Sequence, residues 1–241
     1  MKMLLSLFLI GIILACAWSG YKKGIIMGIG GIFVILVSLY GANLLSSTFS
    51  YEVIPALRPF VGGYMERQLT TAVYDQLGID PLEGSDHSLS DLMRDNPDII
   101  HRAASQSITS LGIFSSTAEA IAVSAENYAA ENNVALYIAL TEVMCNVATF
   151  AGGYLLAFII ILILLTVAGN IPNFSFKLPE MDMLNDVGGA VMGVVTGILF
   201  CHVITWILKF AGLLIGEEVV QGAAFASWFV KTNIVTKYIG L

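Results

Sequence analysis

The chain has 241 residues, of which 57% are hydrophobic and only 12% are charged, and its formal net charge is −7. Soluble domains carry about 25% charged residues, so this composition excludes an ordinary water-soluble fold and indicates a protein covered largely by lipid. The acidic balance also excludes a basic surface for phosphate backbones, and we expect no nucleic-acid partner.

Two uncharged apolar runs, residues 3–19 and 25–45, open the chain and predict a first transmembrane hairpin within 1–47. The turn between them contains Lys22 and Lys23. Lysines in short loops stay in the cytoplasm, so these two determine the topology and place both termini outside. The first run could instead be a cleaved signal peptide, but the second run follows it at once, which favours an uncleaved helix.

An acidic insert, residues 48–142, follows the first hairpin. It contains four Arg, no Lys and thirteen Asp or Glu, a net formal charge of −9. Pro59, Asn96-Pro97-Asp98 and a capping box from Ser116 to Glu119 predict helix starts, with an acidic loop over 77–96. Its apolar positions are too few for a large independent core, so we expect it to pack on the spans, on a second copy or on a partner.

A second transmembrane hairpin is predicted within 143–215, with uncharged runs at 143–176 and 187–208 and a loop at 172–186. The tail, 216–241, has Phe225, Trp228 and Phe229 on one helical face and is predicted to lie in the membrane interface. The expected fold class is therefore all-α, a polytopic plasma-membrane protein with four transmembrane helices and a helical extracytoplasmic insert.

Three glycines in the last span, Gly189, Gly193 and Gly197, recur every four residues. Residues four apart share one helix face, and glycines there allow a second helix to approach closely. We interpret this face as a helix-packing site. Glycine is common in membrane helices in general, which is the competing interpretation.

The turn Gly20-Tyr21-Lys22-Lys23-Gly24 and the run from Asp186 through these glycines resemble the colicin V production (CvpA) family. The resemblance covers residues 1–45 and 147–209, but not the insert. Where that family usually has two Arg, this chain has Val187 and Thr196. The resemblance implies a four-helix inner-membrane protein, without a catalytic residue, associated with toxin production or export.

Patterns typical of catalytic, cofactor or metal sites are not found in the sequence. The three cysteines lie in apolar runs, and the acidic residues over 80–91 lack the order of a calcium loop. His202 within the last span is interpreted as a buried or interfacial histidine, and Lys209 as a lysine that reaches the membrane surface.

We therefore expect a non-enzymatic scaffold or accessory factor that lies in the bilayer and forms a homo-oligomer or binds a membrane-protein partner. The alternative is a small oligomeric channel or transporter, for which Ser38, Asn43, His202 and Thr205 offer fragments of a polar path.

Overall fold

The computed structural model describes residues 1–80, 88–170, 182–210, 212 and 215–232, and this part of the chain consists of helices joined by short turns, with no strand. The helices are α1 (Lys2–Leu77), α2 (Leu89–Asp95), α3 (Ile100–Thr109), α4 (Ser115–Asn132), α5 (Leu136–Asn170), α6 (Asp182–Leu208), α7 (Glu217–Gln221) and α8 (Ala224–Lys231), with a 3-10 turn (Pro97–Ile99) before α3. By length and composition, three of them, α1, α5 and α6, could cross a membrane. These helices indicate a membrane protein, as the composition predicts.

Helix α1 is interrupted at Gly24, whose φ of 80° and ψ of 174° are not helical. This backbone conformation favours glycine, because a side chain there would be strained. Residues 2–23 form the first arm of α1, and residues 25–77 form its second arm.

The contacts of the two arms with α6 run in opposite directions. In order along α6, the close approaches of the first arm are Gly189 to Gly20, Gly193 to Cys16 and Gly197 to Ile13, and those of the second arm are Gly188 to Ile25, Met192 to Gly28 and Thr196 to Gly31. The first arm is therefore antiparallel to α6, and the second arm is parallel to it. It follows that the chain reverses direction at Gly24 and that the two arms form an antiparallel hairpin.

The described residues divide into two compact units. We call residues 1–48, 152–208 and 218–232 the membrane unit, because they contain the long apolar runs. We call residues 49–151 and 209–217 the helical module. Helices α1 and α5 contribute to both units.

Within the membrane unit, α5 runs antiparallel to the second arm of α1. A Cβ added at Gly41 would lie 2.9 Å from Ile161, and one at Gly153 would lie 3.1 Å from the Ser46 hydroxyl. Helix α5 also contacts α6, where Tyr154 packs edge-on against Trp206 with ring centroids 5.2 Å apart. Four helical segments thus pack side by side in this unit.

The helical module has its own hydrophobic core, contrary to the sequence-based expectation. Leu69 and Ile108 are fully buried in it, on the second arm of α1 and on α3. Much of the rest consists of alanines, namely Ala72, Ala103, Ala104, Ala118, Ala122, Ala125 and Ala139. A count of large apolar residues underestimates such a core, because alanine helices pack closely with little side-chain volume.

Several predicted boundaries in the module were wrong. The second arm of α1 does not begin at Pro59; it continues through Pro55 and Pro59. The predicted loop over 77–96 contains helix α2, while residues 81–87 lie outside the described part. Helix α4 begins at Ser115, and Phe114 before it, the N-cap residue, makes no side-chain cap, so the predicted capping box does not form.

One prediction for the second hairpin also needs correction. Helix α6 begins at Asp182, so residues 182–186 are helical rather than part of a loop, and 171–181 lie outside the described residues. In the tail, Phe229 is buried in the membrane unit, whereas Trp228 is 53% exposed. The position of the tail in the membrane interface stays a prediction, and residues 233–241 lie outside the described part.

Candidate helix-packing site

The three glycines of α6 face the first arm of α1 at very short distances. A Cβ at Gly189 would lie 2.3 Å from the Gly20 carbonyl oxygen, and one at Gly193 would lie 2.3 Å from that of Cys16. At Gly197 the nearest atom would be the Cα of Ile13, 2.8 Å away. All three glycines are buried. Since these neighbours are backbone atoms, no side-chain rotation could make room for a methyl group.

Asn185 joins α6 to the start of the second arm. Its side chain is almost fully buried, and its Oδ1 accepts a hydrogen bond of 3.1 Å from the Ile25 backbone N–H. This N–H lies in the first turn of a helix, where it has no partner within the helix. Asn185 on α6 thus caps the second arm of α1. Its side chain also packs against Gly24, where an added Cβ would lie 2.5 Å from the Asn185 Nδ2.

Sequence analysis missed Asn185. The sequence shows an amide residue next to Asp186, just before the glycine run, but it lies in a segment that we predicted to be a loop. The contact that gives Asn185 its role is 160 residues away in the chain, so no local pattern shows it.

Lys22 and Lys23 are both exposed beside the reversal at Gly24. The Lys22 ammonium lies 5.1 Å from the centre of the Trp18 ring, a cation–π contact, and Trp18 stacks on Tyr21 with centroids 6.0 Å apart. Exposed aromatic and basic residues together are typical of the headgroup level of a bilayer.

A groove of about 360 Å³ lies within the membrane unit, between both arms of α1, α5 and α6. The residues that line it include Val34, Ile35, Leu162 and Leu165, together with several glycines. Lys23 lines it at the end near the chain reversal. This volume is within the usual range for ligand sites in proteins. No local sequence pattern indicates the groove, because its residues come from four separated segments.

Other polar residues of the spans are bound locally. The Ser38 hydroxyl donates to the Val34 carbonyl, and the Thr205 hydroxyl donates to those of Cys201 and His202. The His202 ring packs edge-on against Phe229, with centroids 4.9 Å apart.

Two further ionisable residues, Lys209 and Glu142, lie in the helical module. Lys209 is buried rather than extended to a surface, and this burial lowers the pKa of its amine. The Glu142 carboxylate pairs with the Arg58 guanidinium. Each of these groups is thus accommodated within the module.

The helical module holds a second polar cluster. His101 on α3 lies between two carboxylates of α4, with its Nε2 2.6 Å from Glu119 and its Nδ1 2.7 Å from Glu126. The hydrogen bonds to Glu119 and Glu126 raise the pKa of His101. Among the described residues, no group of three or more His, Cys, Asp or Glu side chains is arranged to hold a metal ion, the His101 cluster included.

Comparison with known proteins finds no similar one: no family model, no curated protein and no solved structure matches the chain. The function must therefore be argued from the geometry.

Proposed function

We propose that the chain is a non-enzymatic membrane scaffold, in which glycine-packed spans hold a helical module that binds another protein. The resemblance to colicin V production proteins supports, as part of this proposal, a role as an accessory factor for toxin export or for the cell envelope. The proposal includes four crossings of the plasma membrane, with both termini and residues 48–142 outside. Support for four crossings comes from the chain reversal at Gly24, which allows α1 to cross twice.

One observation carries the scaffold proposal. Val53, Phe60 and Tyr64 project from one face of the second arm, and their side chains are 46%, 78% and 48% exposed. None of the three belongs to the hydrophobic core of the helical module. Apolar surface of this kind marks interaction sites. We call Val53, Phe60 and Tyr64 the aromatic face.

The polar residues of the spans favour a scaffold over the alternative, a small oligomeric channel. A conducting path needs polar groups directed into a pore. The hydroxyls of Ser38 and Thr205 are instead bonded to carbonyls of their own helices, which is how such residues are accommodated in a packed span.

The size of the native complex tests the proposal. Wild-type protein, extracted from membranes in mild detergent after crosslinking, should migrate as a complex larger than one chain. Replacing Phe60 and Tyr64 with Ser should release the single chain, whereas Val123→Ser, which alters an exposed apolar residue on α4, should not. A wild-type single chain, or an unaltered complex in the double variant, contradicts the proposal. Ion flux through vesicles containing only this protein would favour a channel.

A further inference from the structure

We propose that the groove in the membrane unit binds an anionic membrane lipid, with one acyl chain between the helices and the headgroup at Lys23. This site is separate from the aromatic face and does not depend on the scaffold role.

The shape of the groove fits one acyl chain. Its apolar walls run along the second arm of α1 from Met27 to Ile35, and along α5 from Leu162 to Leu165. From Met27 to Ile35 a helix rises about 12 Å. Half of the hydrocarbon core of a bilayer is about 15 Å thick. The groove thus has the length of the chain region in one leaflet.

The groove stays open because glycine lines it. A Cβ at Gly30 would meet no heavy atom within 4 Å, and Gly30 is exposed. The glycines of α6 leave no such space, because the backbone of the first arm lies directly against them. Gly30 therefore leaves space that no part of the described chain occupies, beside residues that face lipid.

Charge selects the headgroup. Among the described residues that line the groove, Lys23 is the one charged side chain, and no carboxylate is present. Lys23 is exposed at the end near the chain reversal, where Trp18 and Tyr21 suit the headgroup level. A lysine at this depth attracts the phosphate of an anionic lipid, which is abundant in the cytoplasmic leaflet.

Photolabelling of purified protein tests the site. The protein is placed in phosphatidylcholine nanodiscs that contain a trace of phosphatidylglycerol with a diazirine in one acyl chain. A parallel sample contains phosphatidylcholine with the same labelled chain. We expect the anionic probe to label groove peptides more strongly than the zwitterionic probe.

Two matched pairs of variants make the result specific. Lys23→Gln should lower labelling by the anionic probe about fivefold. Lys22→Gln removes the same charge outside the groove and should have little effect. Gly30→Leu should fill the groove and reduce labelling by both probes, whereas Gly11→Leu, at another open glycine of α1, should not.

Equal labelling by the two probes, or equal losses in Lys22→Gln and Lys23→Gln, would show that the headgroup is not recognised. Labelling of groove peptides that survives Gly30→Leu would show that the chain lies elsewhere. Either result overturns the proposal. The lysine variants keep the test decisive if Gly30→Leu does not fold.

Discussion

Gly193→Leu should separate α6 from the first arm of α1. The first added carbon would lie 2.3 Å from the Cys16 carbonyl oxygen, whereas ordinary contacts begin at 3.4 Å. The backbones must therefore move apart by about 1.1 Å before the rest of the leucine is accommodated. Overpacking of this kind costs about 1–3 kcal/mol, a five- to 150-fold fall in the folding equilibrium constant.

Gly11→Leu is the matched control, since it makes the same chemical change at a position where an added Cβ has no described neighbour within 4 Å. Both variants gain the same helix propensity, so their difference reports the clash alone. Unfolding by added denaturing detergent, followed by circular dichroism, measures each free energy. If Gly193→Leu and Gly11→Leu unfold at the same detergent fraction, the glycine face does not pack against a helix.

Three predictions concern the helical module. Leu69→Ala should destabilise it by about 2–5 kcal/mol because Leu69 is fully buried, whereas Phe60→Ala should leave its thermal unfolding unchanged. Glu217→Ala should lower its stability by about 1 kcal/mol, because Glu217 accepts hydrogen bonds from the Ser115 backbone N–H and hydroxyl at the start of α4; equal melting of variant and wild type contradicts this. The pKa of His101 is raised in the folded state, so its stabilising contribution is fully present below its ordinary pKa of about 6.5 and is lost as pH rises through the raised value. His101→Gln should flatten that pH dependence, and an unchanged profile would refute it.

Sequence patterns predicted the features that depend on long uncharged runs. The apolar stretches after Lys2 and before Lys209 are all helical in the part that the structure describes, because a helix satisfies the backbone groups of a single segment within lipid. Local rules failed where tertiary packing decides. Pro59 reads as a helix start, yet Ile54, Met65 and Leu69 are buried on either side of it, so the helix continues through the proline.

The candidate site was predictable only in part. A four-residue glycine spacing identifies one face of α6, but not the segment it meets. Asn185 and the groove depend on contacts between distant parts of the chain, and these have no local pattern. The alanine core of the module was underestimated for a related reason, since small residues indicate close packing only when the facing helix is known.

In the topology proposed above, α1 crosses the membrane twice, with the reversal at Gly24 on the cytoplasmic side. Single cysteines at Met3, Tyr21 and Val123, all exposed positions, test it in a background without the native cysteines. An impermeant maleimide added to intact cells should label Met3→Cys and Val123→Cys, and should label Tyr21→Cys only after lysis. If Met3→Cys and Val123→Cys are labelled from opposite sides, α1 crosses the membrane once and the proposed topology is wrong.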